Sequence, residues 1–494
     1  KRQVTTIVFI PPSNMTLKKG YQVVKLITRH AIPYFADCSV LFERISNMPE
    51  AIWLDSGKPA SQQGNVDIIS SAADLIIETR GSHSTITEGQ EIRISDDDPF
   101  QIAQDALNPL LPIDNHYENL PFTGGLMGFF GYDLGRRLID IPNKAETLVD
   151  LPDMRIGRFL WALTIFHDRQ SAEAVFHESC PDALKRDVLD RLCKSNIGIN
   201  THKTNFKLTQ AFTATTSKNE YLKAIAGIKN YINSGDCYQT NFTQHFSAPY
   251  EGDEWTAYKR LRKATASPYS AFWRWPGQAL LSMSPERFLK ISPQKASARL
   301  LVETKPIKGT MPRGKSAQKD NENAEILRNS QKDRAENVMI VDLLRNDISK
   351  NCAAETVKTP LLFALESFPN VHHLVSTVTG ELAEESSPLK LLRDCFPGGS
   401  ITGTPKKRAM EIIEELEPLR RSVYCGSIGY LSANNHMDLN IAIRTIVASE
   451  NIMHCWGGGG IVADSIAENE FTESLDKINL LLSTLEDAIN ETTN

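Results

Sequence analysis

The sequence predicts an α+β protein of two lobes, with mostly antiparallel strands. Three observations predict it. The chain has 494 residues, more than a single hydrophobic core usually serves. Residues 1–200 carry short apolar runs separated by turn signals. Residues 201–494 interleave capped amphipathic helices with further short strands. The expected boundary falls near residue 200, inside the polar, Thr- and Lys-rich stretch Asn196–Thr216, which has no helical period and reads as a connection.

In chain order, Ala51-Ile52-Trp53-Leu54 reads as a strand ending at the turn Asp55-Ser56-Gly57, and Asp67–Ile69 and Ile92–Ile94 are further short strands. Gly124–Tyr132 alternates small with large residues, as where backbones pack closely. Leu160–Phe166 is a strand, followed by a charged helix near 181–194. This lobe shows no evident catalytic cluster. Ser217 and Glu220 form a capping box for a helix whose stripe is Leu222, Ile225, Ile228 and Ile232, ended by Gly235. Asp236–Phe242 and Ala279–Met283 are strands, the second stopping just before Glu286. Residues 317–347 form a long helical region, continuous or interrupted, and the last helix opens with a second capping box, Ser465 with Glu468.

Composition narrows the function classes. Hydrophobic residues make up 41 % and charged residues 23 %, and the net charge is -6, with no basic block interleaved with aromatics, so nucleic acid is not an expected partner. No apolar run reaches the ~18 residues of a membrane span. No signal-peptide pattern is visible, and the eight cysteines are scattered without a CxxC, which fits reduced thiols in a cytoplasmic protein.

The chemistry gathers in the C-terminal half. In Glu303–Gly314, two lysines, two prolines and two glycines fall within a dozen residues, which reads as a shaped loop. Lys308, between Ile307 and Gly309, can be held partly out of water there, which favours the free amine and makes it a candidate nucleophile. An ordinary lysine in a turn is simply solvated. Glu286, just past a strand end, is a candidate general acid, or else a surface carboxylate paired with Arg287. Asp333 and Glu336 continue the apolar stripe of Ile340 and Leu343, a position that asks for a partner such as Lys332. Glu470, Glu473 and Lys477 share a face of the last helix. Glu473 with Lys477 alone is an exposed pair worth ~0.3–0.5 kcal/mol. Taken together, the carboxylates of both helices could hold one hard cation, and magnesium suits such a set.

Between the two helices, Phe396–Lys406 resembles a phosphate loop but lacks the Walker lysine, since Thr404 follows Gly403. Its backbone N–H groups suit a carboxylate or hydroxyl. Leu439–Arg444 alternates as a strand that turns Arg444 away from the core, ready to clamp a carboxylate. The run Gly457-Gly458-Gly459-Gly460 lets backbone approach a ligand. These features suit a small, carboxylate-bearing metabolite.

Six ordered stretches, PIKGT, AENVMIVDLLRND, FPGGSITGTPK, YCGSIGY, IAIRT and GGGIVADS…ENEFTESLDK, resemble the chorismate-utilising enzymes over roughly residues 217–485. LDSG and GGLMGFFGYDLGR extend a weaker likeness into an anthranilate-synthase-component-I-like N-terminal region. The resemblance implies two antiparallel sheets packed as a sandwich with helices outside and a chorismate-binding site in the C-terminal lobe. Lys308 selects a branch: the anthranilate-forming enzymes have alanine there (PIAGT), whereas the branch with PIKGT uses the lysine as a nucleophile and makes 4-amino-4-deoxychorismate for p-aminobenzoate and folate synthesis. Gln239 agrees, since isochorismate- and salicylate-forming members place a lysine there.

The same resemblance implies magnesium on Glu336 and Glu473, with Asp333 and Glu470 beside it, and Glu286 as general acid. It implies chorismate contacts from Thr310, His373, Tyr424, Arg444, Gly458, Gly459, Gly460, Lys477 and Gln239. A glutamine amidotransferase subunit would supply ammonia. Asp55 and Ser56 partly resemble a tryptophan-binding segment. Two departures stand out: Thr404 replaces a common alanine, and Asp333 is shorter than the glutamate of some relatives. Anthranilate synthesis is the second reading and a non-catalytic scaffold the third, opposed by the retained Lys308, Glu286 and carboxylates.

Overall fold

The computed structural model describes residues 24–113, 117–193, 205–294, 297–367 and 371–490. Among these residues the backbone builds one 13-stranded and one 12-stranded sheet, whose ladders are antiparallel. Their facing sides share one core, in which Trp273 and Trp275 from the first sheet meet Phe129 and Arg155 from the second. Rings meet across it, Phe129 lying edge-on to Trp273 at 6.2 Å. The fold is an α+β sandwich.

Both sheets take strands from both halves of the chain. Ile52–Asp55 pairs with Tyr269–Trp275, and Gly125–Phe130 pairs with Ser427–Ser432. A glycine of the second contact serves close approach: a Cβ on Gly125 would lie 2.3 Å from the Leu431 carbonyl. Stretch 196–204 of the expected connection lies outside the described residues. The remainder forms two short strands, Phe206–Leu208 and Thr213–Ala214, laid antiparallel on Gln239–Gly252.

Helices cover the outer faces. Lys218–Asn233 starts from the Ser217–Glu220 capping box, and its buried side chains Tyr221, Ile225 and Ile228 pack with Phe242, Ile412 and Ile461. Tyr221 does the work expected of Leu222. The region 317–347 is two helices, Ala317–Asn329 and Gln331–Ser349, broken at Ser330, whose hydroxyl caps the second by accepting from the Asp333 N–H. The final helix, Ala467–Asn490, lacks the expected Ser465–Glu468 box: Ser465 donates to Glu470 at 2.7 Å, while Glu468 faces Lys218.

Two site-bearing segments also differ from expectation. Ile307–Pro312 is a strand rather than a loop, bounded by Pro306 and Pro312 and paired with Val371–Glu381. Its register slips between Ile307 and Thr310, so the irregularity that the prolines and glycine suggested is a bulge at Lys308-Gly309. The strand Met437–Asn440 stops before Arg444, because the alternating pattern continues after the pairing ends.

Candidate active site

The bulge sets the geometry around Lys308. Gly309 has φ +87, and a Cβ there would lie 2.9–3.0 Å from Leu327 and Asp333, so helix side chains press directly on the strand. Lys308 is thereby turned toward the second helix, where its Nζ lies 2.9 Å from Glu336. Thr310 sits opposite His373 in the ladder, and its Oγ1 is 2.8 Å from His373 Nδ1.

Glu286 follows the strand Gln278–Ser284 and is buried. Burial pushes its carboxyl up to about 7, against the hydrogen bond from Ser400 and the charges of Lys308 and Lys477. Ser400 Oγ donates at 3.2 Å. The expected pairing with Arg287 does not form: Arg287 binds Asp438 and Glu303. At neutral pH Glu286 therefore keeps a substantial protonated fraction, which a proton donor needs.

Arg444 reaches this acid from left-handed backbone, φ +50. Burial lowers its pKa and the charge of Glu286 raises it, yet its guanidinium has no hydrogen bond or ion pair among the described residues. Such a half-buried fork suits an incoming carboxylate. Burial, and then the Arg444 charge, lower His373 to about 4, so its imidazole is neutral at pH 7.

The acids come from two helices. Glu336 meets both Lys308 and, at 3.8 Å, Lys332. Glu473 pairs with Lys477 at 2.8 Å, and the same ammonium donates to the Gly458 carbonyl at 3.0 Å. Partial desolvation opposes ionisation of Glu473, whose side chain stays largely exposed, but Lys477, Lys308 and Lys332 together hold its pKa below the usual range. Glu470 is buried, which raises its pKa despite the Ser465 hydrogen bond. Gly459 opens onto this group: a Cβ there would lie 3.2 Å from Lys477 Nζ, 3.6 Å from Glu470 Oε2 and 3.8 Å from Glu473 Oε1. Asp333 lies against Gly309, next to the Lys308 bulge. Glu336 and Glu473 thus share Lys308 and Lys332 as neighbours, so the two helices bring to one side of the site oxygen donors of the kind a hard divalent cation takes.

Gln239 opens the strand Gln239–Gly252 beside Gly460, whose Cβ would meet Gln239 Nε2 at 2.7 Å. Gln239 Oε1 is buried with no hydrogen-bond partner among the described residues. Tyr424 is buried and stacked on Trp456 at 6.1 Å and 12°, next to Cys425, which feels the charge of Glu286. Two features escaped the sequence reading. Ser400 gave no signal beyond its glycine-rich loop. Glu417 and Arg421 look like an ordinary surface i,i+4 pair, but they are buried, with Arg421 donating to the Ile401 and Asn241 carbonyls and so fixing loop to strand.

Asp55 and Ser56 lie elsewhere, on a cavity of about 390 Å³ also lined by Leu54, Phe166, Arg287 and Tyr430. Asp55 is engaged by Arg262 at 2.6 Å, the Tyr258 hydroxyl at 2.8 Å and the Gly57 N–H at 2.7 Å. Burial lifts its carboxyl to about 6 against the pull of Arg262. Ser56 Oγ is buried without a partner among the described residues.

Residues 50–483 match the family model described as chorismate binding enzyme. The chain belongs to that family. It is 44 % identical over 445 residues to aminodeoxychorismate synthase component 1 of Escherichia coli (strain K12), a match covering 90 % of this chain and 95 % of the relative. Anthranilate synthase component 1 of Acetivibrio thermocellus is more distant, 31 % identical with 96 % and 97 % of the two chains covered. Among solved structures, anthranilate synthase component I from Streptococcus pneumoniae superposes with a TM-score of 0.74 at 28 % identity, covering 85 % of this chain and 92 % of that one. No helix among the described residues is long and apolar enough to cross a membrane.

Proposed function

We propose that this chain is the chorismate-aminating subunit of an aminodeoxychorismate synthase, making 4-amino-4-deoxychorismate from chorismate and ammonia. One observation carries the reading: Lys308, where anthranilate-forming enzymes have alanine, stands on a bulge within electrostatic reach of the buried, partly protonated Glu286. The relatives named above support the same branch.

Glu286 donates its proton to the C4 hydroxyl, and the C4–O bond breaks to release water as Lys308 Nζ bonds to C2. To do so Lys308 gives one ammonium proton to its ion-pair partner Glu336 and adds as the neutral amine. Ammonia then bonds to C4, the C2–N bond to Lys308 breaks, and the amine is regenerated. Arg444 and Lys477 supply positive charge for the two carboxylates of chorismate. Thr310, neutral His373, Gln239 and the N–H groups of Gly458, Gly459 and Gly460 supply hydrogen bonds, and Tyr424 supports the wall. Glu336 and Glu473, with Asp333 and Glu470 beside them, are the residues that would hold magnesium. Bound there, magnesium would supply a Lewis acid for the ring carboxylate.

Ammonia comes from a glutamine amidotransferase subunit, and the product serves p-aminobenzoate and folate synthesis. The cavity beside Asp55 and Ser56 is large enough for a bound tryptophan. The test is product identity: chain, chorismate, magnesium and ammonium are expected to give a product that retains its enolpyruvyl group and that an added lyase converts to p-aminobenzoate. Fluorescent anthranilate with free pyruvate would refute the branch.

A further inference from the structure

The N-terminal lobe, which shows no catalytic cluster in sequence, brings three metal-binding side chains to one point. Cys38 precedes the short helix Ser39–Glu43, Asp67 lies in the strand Val66–Ser70, and His167 follows the strand Trp161–Phe166. One donor atom from each lies within 4.8 Å of the others. His167 Nε2 is the shared centre, 2.6 Å from Asp67 Oδ2 and 3.8 Å from Cys38 Sγ. Cys38 and Asp67 are fully buried, and the His167 side chain is 4 % exposed.

The remaining polar atoms are tied down. His167 Nδ1 meets the Tyr34 hydroxyl at 3.0 Å, and Asp67 Oδ1 accepts from the Ser56 N–H. Outer partners of this kind fix ligand orientation at metal centres.

We infer that Cys38, Asp67 and His167 form a structural site for a borderline divalent ion, zinc being the expected one. The donors are one sulfur, one imidazole nitrogen and one carboxylate oxygen. The thiolate disfavours magnesium or calcium, and the mixed set suits zinc. Charge agrees as well, since a thiolate and a carboxylate balance a divalent ion and leave the buried cluster neutral. On binding, the thiol releases its proton to solvent, and Cys38 Sγ and His167 Nε2 become ligands instead of hydrogen-bonding partners. The ion would clip the helix segment to two neighbouring strands of the first sheet, behind the wall of the cavity that Ser56 lines. This inference does not rest on the proposed function.

The test uses the full chain, stripped of metal and kept in excess magnesium so that the glutamate cluster does not compete. Cobalt is expected to produce a thiolate-to-cobalt charge-transfer band, which carboxylates alone cannot give. Zinc is expected to bind at one per chain and to raise the melting temperature. Cys38→Ser is expected to abolish the band, Tyr34→Phe to weaken zinc binding about 10–100-fold, and Cys193→Ser, at an exposed thiol, to change nothing. Should the Cys38 variant fail to fold, X-ray absorption on zinc-loaded Cys193→Ser protein decides the matter: one sulfur among the zinc ligands supports the site, and none overturns it. A folded wild-type chain that takes up neither ion, or a band that survives in Cys38→Ser, also overturns it.

Discussion

Glu286 and Lys308, to which the proposed mechanism gives the acid and the nucleophile, differ in their surroundings. Glu286 is buried and near 7 in the folded chain against 4.5 when solvated, so the folded form holds a proton that the unfolded form has lost between those values. Stability from this group is therefore complete at low pH and falls as pH rises toward 7, and above 7 the buried charge costs about 2–4 kcal/mol. Glu286→Gln is expected to raise stability at about pH 8.5 but not at about pH 4.5, as read by denaturant melts, while lowering turnover about 10²–10⁴-fold. For the same reason kcat/KM for chorismate is expected to fall as pH rises through about 7, and a pH profile checks it. Position past a strand end marked Glu286 as a candidate in the sequence but left a surface pair with Arg287 equally open. Its partner Ser400 was not legible, because 114 residues separate them and only the fold brings them together.

Strands and helices set the reach of these side chains. The bulge at Lys308-Gly309 depends on a glycine with positive φ that is pressed by Leu327 and Asp333. Gly309→Ala is expected to cost about 1–3 kcal/mol and to lower turnover, with circular dichroism melts and steady-state kinetics as the measurements. A variant with unchanged stability and rate would contradict this account of the bulge. The prolines around Lys308 signalled irregular backbone, but not that it would be a strand, since pairing with Val371–Glu381 is a tertiary event. Arg444 misled in the opposite way: its apolar alternation reads as strand, and only the loss of pairing partners after Asn440 frees it. The helix acids at three-residue spacing were legible from periodicity alone. Their approach to one another was not.

Across the whole molecule, the sheets run through both halves of the chain, so neither half owns a complete sheet. Calorimetry is expected to show one dominant unfolding transition. A fragment of residues 201–494 would leave Tyr269–Trp275 and Ser427–Ser432 without their N-terminal neighbours, and it is expected not to fold alone. Two separate transitions, or a soluble folded fragment, would contradict this. Length and strand spacing predicted an α+β architecture, whereas the interleaving depends on pairings hundreds of residues apart, beyond any local pattern. The Cys38–Asp67–His167 cluster was hidden for the same reason.

The most direct test of the central claim traps the covalent step. The chain is mixed with chorismate and magnesium without ammonia, quenched, digested and read by mass spectrometry. The account predicts an adduct of chorismate less water on the peptide carrying Lys308, absent from Lys308→Ala and discharged when ammonium is added before quenching. A chain that forms no adduct while the Lys308→Ala variant still aminates chorismate would contradict it.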